Sequence, residues 1–215
     1  MIVALDGPAG VGKSTVARAL ARELGLLFLD TGAMYRAVTW SVLERGLDPA
    51  DGAACGRVAR ELVLAFDAEG HILVDGRPGE PAIRGPEVTR QVSLVAAHAP
   101  VREAVVAEQR ALAARAGGVV AEGRDTTTAV FPRADHKFYL DASPAERARR
   151  RALQEGQPGR QAEIQAELER RDRLDSSRAH SPLLQSDDAL LVDTDGLTAA
   201  EVVARLLALV RADRP

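Results

Sequence analysis

Gly7-Pro8-Ala9-Gly10-Val11-Gly12-Lys13-Ser14 fits the pattern G-x-x-x-x-G-K-[ST], residue types and spacing suited to holding a polyphosphate. Glycines let successive backbone N–H groups turn inward around an anion. A helix beginning where the loop ends aims its positive dipole end at the same point. Lys13 adds a compact, mobile charge for the outer phosphates, and the Ser14 hydroxyl can ligate Mg²⁺. With Thr15 behind them, residues 7–15 form the candidate nucleotide site.

Further polar groups sit where apolar runs stop. Ile2–Leu5 delivers Asp6; Leu26–Leu29 delivers Asp30, Thr31 and Gly32, followed by Tyr35 and Arg36; Val119–Ala121 delivers Glu122, Gly123, Arg124 and Asp125. Later, Arg171, Asp175 and Arg178 share one face of a helix by their i, i+4 and i, i+3 spacing. Arginines in this number suit a second phosphate, gripped bidentately. The carboxylates among them suit ribose hydroxyls, a base amino group or Mg²⁺. Transfer between two phosphates needs no general base, because the acceptor is already ionised, so positioning and charge neutralisation do the work. The four histidines, His71, His98, His136 and His180, are scattered and form no catalytic set, and read as structural or surface residues.

The elements that must position these groups are legible as apolar runs alternating with amphipathic helices, which predicts a parallel sheet covered on both faces. Its strands are expected at Ile2–Leu5, Leu26–Leu29, Val119–Ala121, Lys137–Leu140 and Ala189–Val192. In such a sheet the ligand crevice lies beyond the carboxyl ends of the strands, where the polar groups above fall. Ser143-Pro144-Ala145-Glu146 and Thr198-Ala199-Ala200-Glu201 are capping boxes that open two helices. Two segments break the alternation. Leu62 to Val74 reads as a small antiparallel insert with turns at Glu69-Gly70 and Asp75-Gly76. Gln154 to Arg160 is a polar Gly/Pro stretch between Arg-rich helices and reads as a short flap.

Composition narrows the function classes. The net charge of -3 and an aromatic content of 3% leave little for nucleic-acid binding, and no run is long enough for a membrane span. A GTP-type switch needs an Asn-Lys-x-Asp element, and the chain has no asparagine. Cys55 is alone, which excludes a Cys₄ zinc site and fits a small core residue in a reduced, cytoplasmic protein. No long apolar seam is evident, so a monomer is expected. Only two of 28 basic residues are lysines, Lys13 and Lys137. A lysine kept inside the phosphate loop, where arginine has replaced it nearly everywhere else, marks a position that a rigid planar fork cannot fill.

The segments Asp6–Ser14, Leu29–Arg36, Val101–Ala104 and Gly123–Asp125, with Arg171-Asp172, Asp175, Arg178, Pro182 and Leu183, occur in an order that resembles the bacterial cytidylate kinases of the nucleoside monophosphate kinase family. The resemblance covers nearly the whole chain. It implies a P-loop three-layer α/β/α fold with a five-stranded parallel core sheet, a small CMP-binding insert and a short lid. The expected division is one kinase domain, 1–215, with core 1–61, 92–150 and 165–215, insert about 62–91 and lid about 151–164. It implies phosphorylation of CMP or dCMP by ATP with Mg²⁺, Ser14 holding the ion largely through ATP phosphates and water. Arg36, Arg124 and Arg178 would hold the acceptor phosphate, Asp175 with Arg171 the ribose, and Ser93, Arg102 and Asp125 the cytosine edge, with Thr31 and Tyr35 lining the same site. Lys13, Arg124 and Arg151 are the candidate catalytic groups, with Arg147 and Arg150 on the ATP phosphates; Arg149 is expected on the surface. Glu122 stands where the family often has Asp, keeping the carboxylate one methylene longer. Adenylate and shikimate kinases are the rival readings. The single cysteine argues against a zinc-bearing adenylate kinase lid, and shikimate kinase leaves the insert unexplained.

Overall fold

The computed structural model describes residues 1–67 and 69–212; Ala68 of the expected insert and residues 213–215 of the expected core lie outside them. Five parallel strands, β1 (Ile2–Asp6), β2 (Leu27–Asp30), β6 (Val119–Glu122), β7 (His136–Asp141) and β8 (Leu190–Asp193), form a sheet in the order β2-β6-β1-β7-β8, flanked by helices. All five sequence-expected strands are present, with ends shifted by one residue. In β1, Val3, Ala4, Leu5 and Asp6 are fully buried, as a central strand covered on both faces requires. It pairs Ile2 with Val119 on one side and Val3 with His136 on the other.

The chain groups into two compact units. The first comprises Met1–Phe28 and Val119 onward; the second is Leu29–Gly118, so the boundary falls within β2. In the first unit, helix α1 (Lys13–Leu24) and helix α8 (Ala199–Ala212) pack together on the sheet. Val16, Leu20, Phe28, Leu140, Val192 and Leu206 are among the side chains of their shared core. Helix α1 ends at Gly25, whose left-handed φ of 67° lets the chain turn back on itself. Helices α6 (Pro144–Gln154) and α7 (Gln161–Ser176) pack through Ala148, Ala152 and Ile164, joined by a short 3₁₀ turn at Pro158–Arg160 where the flap was expected.

The capping box at Thr198 closes fully, whereas at Ser143 only the N-cap half forms, because the Ser143 backbone N–H donates to Asp195 at 2.9 Å and not to Glu146. The Ser143 hydroxyl accepts from the Glu146 N–H, and Thr198 and Glu201 bond reciprocally. Glu146 also takes Arg149 on both carboxylate oxygens, at 2.7 and 2.8 Å, and Arg150 at 2.8 Å. The hydrogen bonds from Arg149, then those from Arg150, hold its carboxyl down at about 2, against an ordinary 4.5. A depressed carboxylate stabilises the fold above its unfolded value and loses that contribution as pH falls toward the folded one. Glu146→Gln should therefore unfold at lower denaturant than wild type at pH 7, with the gap closing between about pH 4.5 and 2. A gap that stays constant over that range would reject the assignment.

In the second unit, helices α2 (Thr31–Glu44), α3 (Gly52–Glu61), α4 (Pro86–Val95) and α5 (Ala99–Arg115) accompany an antiparallel sheet of β3 (Leu64–Phe66), β4 (Ile72–Val74) and β5 (Arg77–Pro78). Asp75 and Gly76 both take positive φ, 49° and 76°, the tight hairpin geometry that Asp-Gly favours. Cys55 is buried in α3. Among the described residues no helix is long and apolar enough to cross a membrane.

Candidate active site

The loop's shape is imposed by its glycines. Gly7 has φ 146°, and a Cβ there would lie 2.1 Å from the Leu140 carbonyl oxygen, so the chain leaves β1 pressed against the end of β7. Gly12, at φ 95°, is the N-cap of α1 and offers no side chain to its first turn. That turn carries no acidic residue either, which leaves its N–H groups and the helix dipole directed at the loop. Lys13 folds back beneath the loop, buried, its Nζ donating to the Pro8 carbonyl at 2.7 Å. Burial, and after it the charge of Arg124, pushes the Lys13 ammonium down to about 7, with Glu122 pulling the other way. Incoming phosphate charge would oppose both effects.

Two carboxylates at the strand ends beside the loop do different things. Glu122, at the end of β6 and buried, accepts a 2.5 Å hydrogen bond from the Ser14 hydroxyl. Asp6 is fully buried and takes four donors: the backbone N–H and hydroxyl of Thr126 on one oxygen, and those of Thr127 on the other. It thus fixes the π-helical turn Thr126–Val130 that follows Asp125, whose carbonyl accepts from Ala129 and Val130. Asp125 itself is buried.

Around Asp175 the expected arginines converge. Asp175 is 1% exposed and accepts from Arg124 Nε at 3.0 Å and Arg178 Nη2 at 2.5 Å, with Arg171 Nε at 3.9 Å. Burial would raise the Asp175 carboxyl, but Arg124, Arg178 and Arg171 outweigh it and hold it below its usual value. Burial similarly opposes the Arg124 charge, and Asp175 and Glu122 overcome it. Arg171 comes out lowered to about 10, by burial and then by Arg124. Three guanidinium groups on one carboxylate leave net positive charge suited to an anion.

The arginines of α6 are divided in their tasks. Arg147 Nη1 donates to the Ala9 carbonyl at 2.9 Å and to Asp172 at 2.5 Å; Arg150 donates to the Val11 carbonyl at 3.2 Å and to Thr194. Both therefore brace the loop. The Arg151 side chain is 42% exposed and pairs with Glu155, and Arg149 lies on the surface with Glu146.

The second unit holds the remaining candidates. Thr31 and Tyr35 are buried on α2. Arg36 donates to Thr89 at 2.9 Å and to the Ile83 carbonyl at 3.3 Å, anchoring it to the segment that opens α4; Ser93 lies one turn beyond Thr89. Arg102 stacks over the Tyr35 ring at 5.3 Å and donates to the Ala96 carbonyl. Asp30 caps α2 through the Ala33 N–H and pairs with Arg84 at 3.0 Å. Sequence reasoning missed Arg84, and it missed the tasks of Asp172, Thr126 and Thr127. Asp172 was visible beside Arg171, but nothing in its spacing shows that its partner lies 163 residues away.

A family model described as cytidylate kinase matches residues 3–212. A bifunctional pantoate ligase/cytidylate kinase of Synechococcus sp. (strain CC9902) is 50% identical over 98% of this chain and 45% of its own length. That of Prochlorococcus marinus (strain MIT 9313) is 50% identical over 100% of this chain and 44% of its own. The chain thus spans less than half the length of these curated relatives. Among solved structures, a Thermus thermophilus protein superimposes with a TM-score of 0.52 at 22% identity, covering 100% of this chain and 98% of that one. One from Eubacterium ventriosum gives 0.54 at 11% identity, covering 99% and 98%. At those identities the likeness concerns the fold.

Proposed function

Because the chain belongs to the cytidylate kinase family, we propose that it transfers the γ-phosphoryl group of ATP to the phosphate of CMP, and of dCMP, giving the diphosphate and ADP. The observation that carries this is the pairing, within one compact unit, of a lysine-bearing phosphate loop with a buried carboxylate bracketed by Arg124, Arg171 and Arg178. An oxygen of the acceptor phosphate attacks the γ-phosphorus, forming one P–O bond as the bond to ADP breaks. Lys13, Arg124 and Arg151 would neutralise the charge in transit, while the N–H groups of residues 7–15 hold the donor. Arg147 and Arg150 would act on ATP from behind the loop they brace.

Mg²⁺ is part of the same reading. Ser14 and Glu122 set a hydroxyl beside a carboxylate, an all-oxygen pair suited to that ion, which keeps most of its coordination for phosphates and water. The ion would supply further charge neutralisation. On the acceptor side Asp175 and Arg171 would meet the ribose, and Arg36, Arg124 and Arg178 the phosphate. Ser93, Arg102 and Asp125 would read the base, beside Thr31 and Tyr35. Residues about 62–91 would be the acceptor insert and about 151–164 the lid of one kinase domain. The enzyme would act as a cytoplasmic monomer, with no nucleic-acid or membrane partner.

Initial rates with CMP, dCMP, UMP and AMP test the reading; faster turnover of AMP would overturn it. Asp125→Ala should weaken CMP by an amount worth about 1–3 kcal/mol, the scale of a carboxylate reading a cytosine amino group. The KM for ATP should stay within about twofold of wild type, since this contact is to the acceptor base. Equal losses for both substrates would point to a folding defect.

A further inference from the structure

Asp172 contributes no ligand to the reading above, yet its carboxylate is engaged on both oxygens. Oδ1 accepts from the Ala9 backbone N–H at 2.9 Å, and Oδ2 accepts from Arg147 Nη1 at 2.5 Å. The same Nη1 donates to the Ala9 carbonyl at 2.9 Å, so both polar groups of one loop residue are tied down by a single ion pair. That pair is well covered, with 8% of the Arg147 side chain and 16% of Asp172 exposed. One turn further along α7, at i+3, stands Asp175, which organises Arg124 and Arg178. A single helix therefore touches the crown of the donor loop through residue 172 and the proposed acceptor arginines through residue 175.

We propose that Asp172 is a positioning residue that sets the donor loop in register with the acceptor arginines. The inference rests on the phosphoryl-transfer reading. In-line transfer needs the reacting atoms about 3–3.5 Å apart, and a misplacement of about 1 Å costs on the order of a hundredfold in rate. A loop that carries its own N–H cradle would still bind ATP if it shifted as a body, and the acceptor arginines would still bind their phosphate. What is lost is the distance between the two. The covered ion pair with Arg147 makes the tether stiff, because a charge-assisted hydrogen bond is shorter and stronger than a neutral one.

The signature is a split between kcat and KM. Asp172→Ala should lower kcat with CMP roughly a hundredfold, while the KM values for ATP and CMP move by less than about threefold. Asp172→Asn keeps an acceptor for the Ala9 N–H but loses the ionic partner of Arg147, and should fall between wild type and Asp172→Ala. It also serves if the alanine variant does not fold. A loss confined to the KM for ATP, with kcat retained, would make Asp172 a binding tether and overturn the proposal. Wild-type kcat in both variants would overturn it as well. Failure of the wild-type protein to phosphorylate CMP would instead overturn the functional reading and this inference with it, an outcome visible before any variant is made.

Discussion

Lys13→Ala should lower kcat by roughly 10²–10³, the scale for removing one preorganised charge from the transferring group. The case is stronger than the motif alone makes it. In the resting protein the ammonium is buried under the loop and donates to the Pro8 carbonyl. Burial and Arg124 both work against its charge. The protein therefore gains little stability from Lys13 before the nucleotide arrives, and the alanine variant should melt within a few degrees of wild type. The loss appears when phosphates enter, because the charge they need is missing. ATP should then protect the variant against thermal unfolding less than it protects wild type. Lys13→Arg should fail similarly, since a planar fork cannot occupy the space of a compact ammonium. Near-normal turnover in Lys13→Ala would reject the role.

Asp6→Ala should be the most destabilising single change near the site, for a reason unrelated to catalysis. Four donors end on this fully buried carboxylate. Alanine leaves all four unsatisfied, and breaking a buried charged network in this way costs about 3–5 kcal/mol. Against a total stability of about 5–15 kcal/mol, that is a large fraction. For a chain of this size it corresponds to a drop in Tm of roughly 6–20 °C. Asp6→Asn should fall between, because its amide nitrogen would face either the Thr126 pair or the Thr127 pair as a donor against donors. An unchanged Tm in Asp6→Ala would show that the turn at Thr126–Val130 does not depend on this carboxylate.

Asp6 also shows where sequence reading stops. Its place at the end of the first apolar run, next to the phosphate loop, was legible, as were the five strands, the helix caps at Ser143 and Thr198 and the Asp75-Gly76 hairpin. All of these are written in local periodicity and turn chemistry. The Thr126 and Thr127 partners of Asp6 lie 120 and 121 residues away, and no local pattern encodes them. The same holds for Arg147 and Arg150. Their spacing on α6 predicts a shared, charged face. Only the packing of α6 shows that this face is turned toward the carbonyls of Ala9 and Val11. Asp175 was legible from the spacing of Arg171 and Arg178, although α7 ends at Ser176, so Arg178 reaches Asp175 from just past the helix and not from the shared helical face that the spacing predicts. Arg124, the third partner, comes from another element and was placed only by where its strand ends.

Both lysines of the chain spend their ammonium groups in the same way. Lys13 donates to the carbonyl of Pro8 and Lys137 to that of Pro132, each five residues upstream. Lys137 is also paired with Asp188 at 2.6 Å, and only 6% of its side chain is exposed. With two ε-amino groups in 215 residues, and both engaged, neither lysine offers acylating reagents a freely exposed ε-amine. The amine whose basicity is lowered, and which is therefore the better nucleophile near neutral pH, is the one beneath the phosphate loop. Lysine-directed chemistry on this protein is consequently chemistry at its nucleotide site, and an occupant of that site is the natural shield against it.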